Sequence, residues 1–111
     1  MSYIEFEGKQ IPTDDEGYLL SLNDYSEGLR DHIASLMGLE LTAEHLVIIA
    51  MVRKYYEEFD TTPPIRGLIK LLQKEGHEEL ASSVKLARLF PEGAAKCAAK
   101  LAGLPKPAKC I

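Results

Sequence analysis

Near the N-terminus, apolar and polar residues alternate, which predicts a small β-hairpin. Residues 4–6 alternate between the two kinds of side chain, and the pattern resumes at residues 10 and 11. Alternation with a period of two is typical of a strand with one buried face. We expect the turn at Glu7-Gly8-Lys9 and the end of the hairpin at Pro12 and the acidic segment after it. So small a hairpin must pack against the rest of the chain to be stable.

From about residue 25 onward, apolar residues recur at intervals of three and four, the spacing of one face of an α-helix. We expect helices over residues 25–37, from Thr42 to Phe59, from Pro63 to Gly76, over residues 82–90 and over residues 94–102. Asn23 or Asp24 is the expected N-cap of the first helix, and Thr62 that of the third. The third and fourth helices also permit a helix-turn-helix. The predicted fold is therefore mostly α: about five helices in an orthogonal or helix-turn-helix-like bundle, with a small hairpin at its N-terminus.

The last predicted helix ends at Gly103, and a segment that contains two prolines follows. Pro105 and Pro107 prevent a helix from continuing through this segment. We expect residues 103–111 to form a mobile C-terminal arm, with Gly103 as its hinge. The chain has 111 residues, which leaves room for one core only, so residues 1–111 are expected to form a single domain.

The composition is that of an ordinary folded protein, with 46% hydrophobic and 27% charged residues. No apolar run approaches the roughly 20 residues that cross a bilayer, and the acidic N-terminus does not resemble a secretory signal. We therefore expect a soluble, cytoplasmic protein that does not associate with membranes. The net charge of −4 is unevenly distributed, because residues 85–111 carry six basic residues and a single acidic one. This asymmetry suggests that the basic end meets an anionic partner. A solvated basic helix explains it equally well.

The chain has two cysteines, Cys97 and Cys110, which are too few for a disulfide scaffold. The three histidines share no helical spacing and no Cys-x-x-Cys pair occurs, so we expect no metal and no other cofactor. Cys110 is the penultimate residue and follows both prolines, whereas a structural cysteine is usually buried. Its position suggests a thiol that is carried into the active site of another protein. The alternative is an incidental cysteine in the tail.

Several short motifs resemble those of one known family. They are Phe6-Glu7-Gly8-Lys9, Asp15-Glu16-Gly17-Tyr18-Leu19, Pro63-Pro64-Ile65-Arg66, Arg88-Leu89-Phe90-Pro91, Leu101-Ala102-Gly103-Leu104-Pro105-Lys106-Pro107 and the ending Lys109-Cys110-Ile111. Together they resemble the DsrC/TusE family of sulfur-relay proteins over essentially the whole chain. The resemblance implies a DsrC-like helical fold with an N-terminal hairpin and a flexible C-terminal arm. It also implies that Cys110 is the catalytic residue and carries sulfur as a covalent persulfide.

The family divides according to its cysteines. The resemblance implies that DsrC proper has a second cysteine eleven positions before the last, and that both bind sulfur as a trisulfide with dissimilatory sulfite reductase. TusE-type members keep only the penultimate cysteine. They accept sulfur from a TusBCD-type complex and pass it to the tRNA thiouridylase MnmA, which forms 2-thiouridine in tRNA.

In this sequence the position eleven before Cys110 is Ala99, and Cys97 lies two residues earlier. Side chains two positions apart on an α-helix point about 200° away from each other, so Cys97 points nearly opposite to residue 99. This favours a TusE-type sulfurtransferase, a persulfide relay protein rather than an enzyme acting on a small molecule. Cys97 is interpreted as a packed residue, with a second, resolving thiol as the alternative.

Basic and proline residues near Cys110 are expected to help the arm meet its partners. We expect these partner-docking residues to be Arg88, Lys100, Gly103, Pro105, Lys106, Pro107 and Lys109. The lysines would steer the arm toward an acidic donor surface or toward tRNA phosphates, and the prolines would reduce the entropy lost on docking.

Two other functions remain open. One is a DsrC-type sulfur-substrate partner of dissimilatory sulfite reductase. The other is a helix-turn-helix regulator, which is disfavoured because the second helix would offer only Lys85 and Arg88 to a DNA groove.

Overall fold

The computed structural model describes residues 2–105, and five α-helices and one two-stranded sheet form the regular structure of this part of the chain. The elements are β1 (Ser2–Phe6), β2 (Lys9–Thr13), α1 (Glu27–Leu36), α2 (Ala43–Phe59), α3 (Ile65–Lys74), α4 (Ser83–Leu89) and α5 (Ala94–Leu101). Short 3-10 turns lie at Leu22–Asp24 and Glu78–Leu80. The predicted fold, mostly α with an N-terminal hairpin, is confirmed. None of the helices described has both the length and the apolar composition that crossing a membrane requires.

The hairpin closes through a tight turn of two residues. β1 and β2 are antiparallel, with Phe6 opposite Lys9, so the loop consists of Glu7 and Gly8. Both have positive φ, 51° and 76°, which is the requirement of a type I′ turn. Pro12 does not end the hairpin as predicted but lies inside β2. Hydrogen-bonded and non-hydrogen-bonded pairs alternate along the ladder, and counting from the turn places Pro12 in a non-hydrogen-bonded pair. Its missing N–H therefore costs the sheet no hydrogen bond.

Helix α5 lies at the centre of the core. It packs against α1, α2, α3 and α4. Six of its eight residues are buried, and they are Ala94, Ala95, Cys97, Ala98, Ala99 and Leu101. Because neighbouring helices cover more than one face of α5, Cys97 and Ala99 are both buried although they point in nearly opposite directions.

Two helices begin differently from the prediction. The N-cap of α1 is Ser26, whose hydroxyl accepts a hydrogen bond from the N–H of Leu29 at 3.1 Å. Asn23 and Asp24 lie instead in the preceding 3-10 turn. Thr62 does not cap α3, which begins after Pro64. The hydroxyl of Thr62 instead donates a hydrogen bond to the carbonyl oxygen of Pro105.

A buried histidine joins the start of α2 to the end of α4. His45 is 5% exposed, and its Nδ1 accepts a hydrogen bond from the N–H of Thr42, the N-cap of α2, at 3.1 Å. Its Nε2 lies 2.7 Å from the carbonyl oxygen of Leu89, to which it donates. The ring also meets Phe90 edge-on, with 5.0 Å between the ring centroids. Both ring nitrogens are thus used in a structural contact.

Candidate functional site

The residues predicted to form the site lie partly within the described structure and partly beyond it. Arg88, Cys97, Lys100, Gly103 and Pro105 are described. Lys106, Pro107, Lys109 and Cys110 lie outside the described residues. The described part of the site consists of the end of α5 and of residues 102–105, the segment through which the chain leaves this helix. We call this segment the arm root.

The chain leaves α5 through a fixed hydrogen-bonded turn. Gly103 has a φ of 73°, and its N–H donates to the carbonyl oxygen of Lys100 at 3.2 Å. The N–H of Leu104 donates to the carbonyl oxygen of Ala99 at 3.0 Å. This pair of bonds is the Schellman motif, which needs a residue in the left-handed region at the position of Gly103. The side chain of Leu104 is 2% exposed and packs into the core. The turn at Gly103 is therefore held against the end of α5 by two hydrogen bonds and by the packing of Leu104.

Arg53 and Tyr25 enclose this turn. The guanidinium of Arg53, from α2, donates a hydrogen bond to the carbonyl oxygen of Ala102 and lies over the ring of Tyr25, 4.2 Å from its centroid. A cation is favourable here because the last carbonyls of a helix have no partner within it and carry partial negative charge. A Cβ on Gly103 would lie 2.6 Å from Cδ1 of Tyr25, closer than any real contact allows. Only glycine fits between the turn and the ring.

Thr62 holds the last described residue of the arm root. Its hydroxyl donates a hydrogen bond to the carbonyl oxygen of Pro105 at 3.1 Å, and Thr62 itself is 7% exposed. Thr62 lies in the connection between α2 and α3, just before Pro63 and Pro64, whose rings fix φ and stiffen this loop. We call Tyr25, Arg53 and Thr62 the clamp. Through these contacts the arm root is attached to the body of the domain.

Cys97 lies in an environment that suppresses thiol chemistry. The residue is 7% exposed, and burial raises the pKa of its thiol, with a smaller contribution in the same direction from Glu92. Lys100 and Lys96 act in the opposite direction but more weakly on that pKa. The thiolate is the nucleophilic form of cysteine, so a raised pKa reduces reactivity near neutral pH. The cysteine also borders a cavity of about 230 Å³. Other residues that line this cavity are Met37, Leu39, Phe90, Pro91 and Glu92.

The two basic docking residues within the described part differ in their surroundings. Arg88 is exposed in the last turn of α4. Lys100 is half-buried, and its Nζ lies 5.1 Å from the centroid of the buried Tyr18 ring. The ammonium of Lys100 is thus directed onto the body of the domain, whereas Arg88 is presented at the surface.

The clamp residues were not singled out by the sequence. Tyr25 and Arg53 belong to helical patterns that look ordinary, and Thr62 stands where a helix cap is expected. The hydroxyl of Thr62 bonds to a residue 43 positions away, and the guanidinium of Arg53 to one 49 positions away. The sequence offers one indirect signal, because Arg53 directly follows the long apolar run of α2. In the structure this position is half-buried.

Comparison with known proteins identifies similar chains over the full length. The family model described as "DsrC like protein" matches residues 5–111. The chain is 52% identical over 106 residues to the protein named Sulfurtransferase TusE from Salmonella choleraesuis, which covers 96% of this chain and 97% of that protein. The NMR structure of Allochromatium vinosum DsrC is similar with a TM-score of 0.87 and 46% identity, covering 99% of this chain and 98% of the other.

A crystal structure of the oxidized gamma-subunit of the dissimilatory sulfite reductase (DsrC) from Archaeoglobus fulgidus is similar with a TM-score of 0.82 and 32% identity. The match covers 98% of this chain and 99% of that chain. The sequence and structure comparisons therefore agree with the resemblance in the short motifs.

Proposed function

This chain belongs to the family of DsrC-like proteins, and we propose that it carries sulfane sulfur as a persulfide on Cys110 and relays it between partner proteins. The observation that best supports this proposal is the contrast between the two cysteines. Cys97 is buried in α5 with a raised pKa, whereas Cys110 follows the last clamped carbonyl, that of Pro105, by five residues. A relay thiol must enter another protein's active site, and Cys110 has the better position for it.

The proposed loading step is an exchange between sulfur atoms. The thiolate of Cys110 attacks the outer sulfur of a donor persulfide, and the S–S bond of the donor breaks. The donor cysteine leaves as a thiolate with the bonding electron pair, and Cys110 keeps the outer sulfur as a persulfide. Charge and electrons balance, so the step needs no external oxidant or reductant. Delivery repeats the exchange, with an acceptor thiolate attacking the outer sulfur on Cys110.

We further propose a TusBCD-type complex as the donor and an MnmA-type thiouridylase, with its tRNA, as the acceptor. The support is the 52% identity to a protein named Sulfurtransferase TusE. Lys106 and Lys109 precede the thiol in the sequence, and Arg88 is exposed on α4. Such cations would guide the arm toward an acidic donor surface or toward tRNA phosphates. They position the protein and take no part in the exchange of sulfur.

A DsrC-type partnership with dissimilatory sulfite reductase is the second candidate. It is favoured by the similarity to the gamma-subunit from Archaeoglobus fulgidus. The cysteines weigh against it, because residue 99 is a buried alanine and Cys97 is buried as well. A trisulfide between two cysteines would require Cys97 to leave its packed environment.

Intact mass spectrometry tests the proposal. The wild type, Cys97→Ser and Cys110→Ser are incubated with a cysteine desulfurase, free cysteine and a purified TusBCD-type donor. We expect one added sulfur atom on the wild type and on Cys97→Ser, and none on Cys110→Ser. Circular dichroism confirms that all three are folded. Sulfur retained on Cys110→Ser would refute the carrier function.

The choice between the two pathways needs a second measurement on the loaded protein. Addition of an MnmA-type enzyme and tRNA should give 2-thiouridine that depends on Cys110 but not on Cys97. Loading that requires both cysteines, or a rapid internal disulfide, would make the sulfite-reductase partnership the leading function.

A further inference from the structure

The contacts of the arm root secure the backbone in a way that core packing does not explain. The carbonyl oxygen of Ala102 is bonded by Arg53, a charged residue that remains half-buried. Pro105 is exposed, so its side chain is not part of the hydrophobic core. Its carbonyl oxygen is nevertheless bonded by the buried hydroxyl of Thr62. The hydrogen bond thus constrains the path of the backbone at a point where the hydrophobic core has ended.

The three clamp residues come from different parts of the fold. Tyr25 precedes α1, Arg53 lies on α2, and Thr62 lies in the connection to α3. Arg53 stacks on Tyr25 and Tyr25 closes on Gly103, so these two act on the turn itself. Thr62 acts two residues later, on Pro105. Two successive attachments define both the position and the direction of a chain, whereas a single attachment defines only its position.

We propose that Tyr25, Arg53 and Thr62 are positioning residues that fix the place and direction in which the arm leaves the domain, and so limit where Cys110 is presented to a partner. The inference rests on the proposed function of Cys110 as the sulfur carrier. It moves the effective start of the arm from Gly103, where the sequence suggests a hinge, to the bond after Pro105. None of the three residues takes part in the exchange of sulfur.

The reach of the thiol gives the size of the effect. Five residues extend from Pro105 to Cys110, which is at most about 17 Å of extended chain. Counted from Leu104, whose buried side chain and N–H bond to Ala99 do not depend on the clamp, six residues would extend about 20 Å. The volume accessible to the thiol grows as the cube of this length, about 1.6-fold. Its effective concentration at a docked partner would fall by a similar factor if the clamp opened.

Distance measurements between spin labels test the clamp without any sulfur transfer. One label is placed on Cys110 and the second at Lys70→Cys on α3, in a Cys97→Ala background. Lys70 is exposed, and Cys97→Ala prevents labelling of the second native thiol. Double electron–electron resonance then gives the distribution of distances between the two labels. We expect Thr62→Val and Arg53→Met to broaden this distribution relative to the clamped protein.

Matched controls come from the same loop. Thr61→Val makes the same change at the exposed neighbouring residue and should leave the distribution unchanged. Thr62→Ser keeps the hydroxyl and should restore the narrower distribution. Equal widths for Thr62→Val and Thr61→Val would overturn the proposal. If Arg53→Met fails to fold by circular dichroism, the Thr62 and Thr61 variants still decide the question.

Sulfur transfer provides the second readout. For the variant that combines Thr62→Val with Arg53→Met, we expect kcat/KM for delivery to the protein acceptor to fall about 1.5- to 2-fold. Alkylation of Cys110 by a small reagent should not change, because a small molecule needs no directed arm. An equal fall in both rates would mean general damage and would overturn the positioning role. If no variant loads sulfur while the distance distributions still differ, the carrier function fails and the clamp stands.

Discussion

Gly103 is the position where the structure makes its sharpest prediction about stability. Alanine at this position must adopt a φ of 73°, in the left-handed region, which costs about 1–2 kcal/mol. The new methyl group would also lie 2.6 Å from Cδ1 and 3.0 Å from Cβ of Tyr25, so the ring must move. Displacing the ring loses its stacking with Arg53, about 0.5–1 kcal/mol, and overpacking of this kind typically costs about 1–3 kcal/mol. We expect Gly103→Ala to destabilise the fold by about 2.5–6 kcal/mol.

Gly76 provides a matched control within the same protein. It ends α3 with the same Schellman bonds, its own N–H donating to Gln73 and the N–H of His77 donating to Leu72. Its φ is 84°, but a Cβ there would meet nothing within 4 Å. Gly76→Ala should therefore cost only the conformational term, about 1–2 kcal/mol. The difference between the two alanine variants isolates the contact with Tyr25.

Urea unfolding followed by circular dichroism measures both free energies by linear extrapolation. A double-mutant cycle then tests the cause. In a Tyr25→Ala background the ring contact at 2.6 Å is removed and only the Cβ of residue 25, at 3.0 Å, remains, so the extra cost of Gly103→Ala over Gly76→Ala should fall. If the two glycine variants are equally destabilised in the wild-type background, then Tyr25 does not enclose Gly103 and the clamp loses one of its members.

Three further outcomes follow from the buried side chains. In the native protein, alkylation should be fast at Cys110 and slow at Cys97, which is protected by burial. In urea both thiols should be modified at similar rates. Equally fast alkylation of the two thiols in the native protein would contradict the burial of Cys97. Burial raises the folded-state pKa of Cys97 above its unfolded value of about 8.5. Any contribution of this thiol to the free energy of unfolding, measured against Cys97→Ala, should therefore be complete below about pH 8.5 and should decrease as the pH rises through the folded-state pKa. His45→Ala leaves the carbonyl of Leu89 without its partner and opens a cavity, so it should cost about 2–4 kcal/mol in urea unfolding; a cost below about 1 kcal/mol would show that the histidine contributes little to the contact between α2 and α4.

Local signals were sufficient to predict the hairpin and most helix boundaries. Alternation identified the strands, and Glu7-Gly8 supplied the two positive φ angles that the turn requires. Thr42 caps α2 at the predicted start of that helix, and Ser82 caps α4 at the first residue of the predicted segment 82–90. At α1 several capping residues occur within four positions, and local sequence cannot decide between them. Ser26 is the cap because a 3-10 turn already contains Asn23 and Asp24.

The clamp could not be predicted because its contacts join distant parts of the sequence. Thr62 followed by two prolines satisfies the local rule for a helix start, yet its hydroxyl bonds to Pro105 instead. The angular argument about Cys97 had a related weakness. A separation of about 200° distinguishes two residues only when one face of the helix is exposed. Helix α5 is covered on several sides, so Cys97 and Ala99 are both buried.

The clamped arm root changes what limits a bond between Cys97 and Cys110. Along the sequence the two are separated by thirteen positions, but residues 98–105 lie in α5 and the arm root, and Cys110 comes five positions after Pro105. From Cys97 to Leu101 the helix rises only about 6 Å, and the arm extends at most about 17 Å beyond Pro105, so much of α5 is within its range.

Access to the sulfur of Cys97 is the stronger restriction. That sulfur is packed in the core, and its raised pKa lowers the fraction of thiolate that could attack a persulfide or disulfide. An oxidised form that joins the two cysteines would need the packing around Cys97 to loosen first. The packing of Cys97 in α5 therefore supports the proposed use of a single thiol more than the length of the arm does.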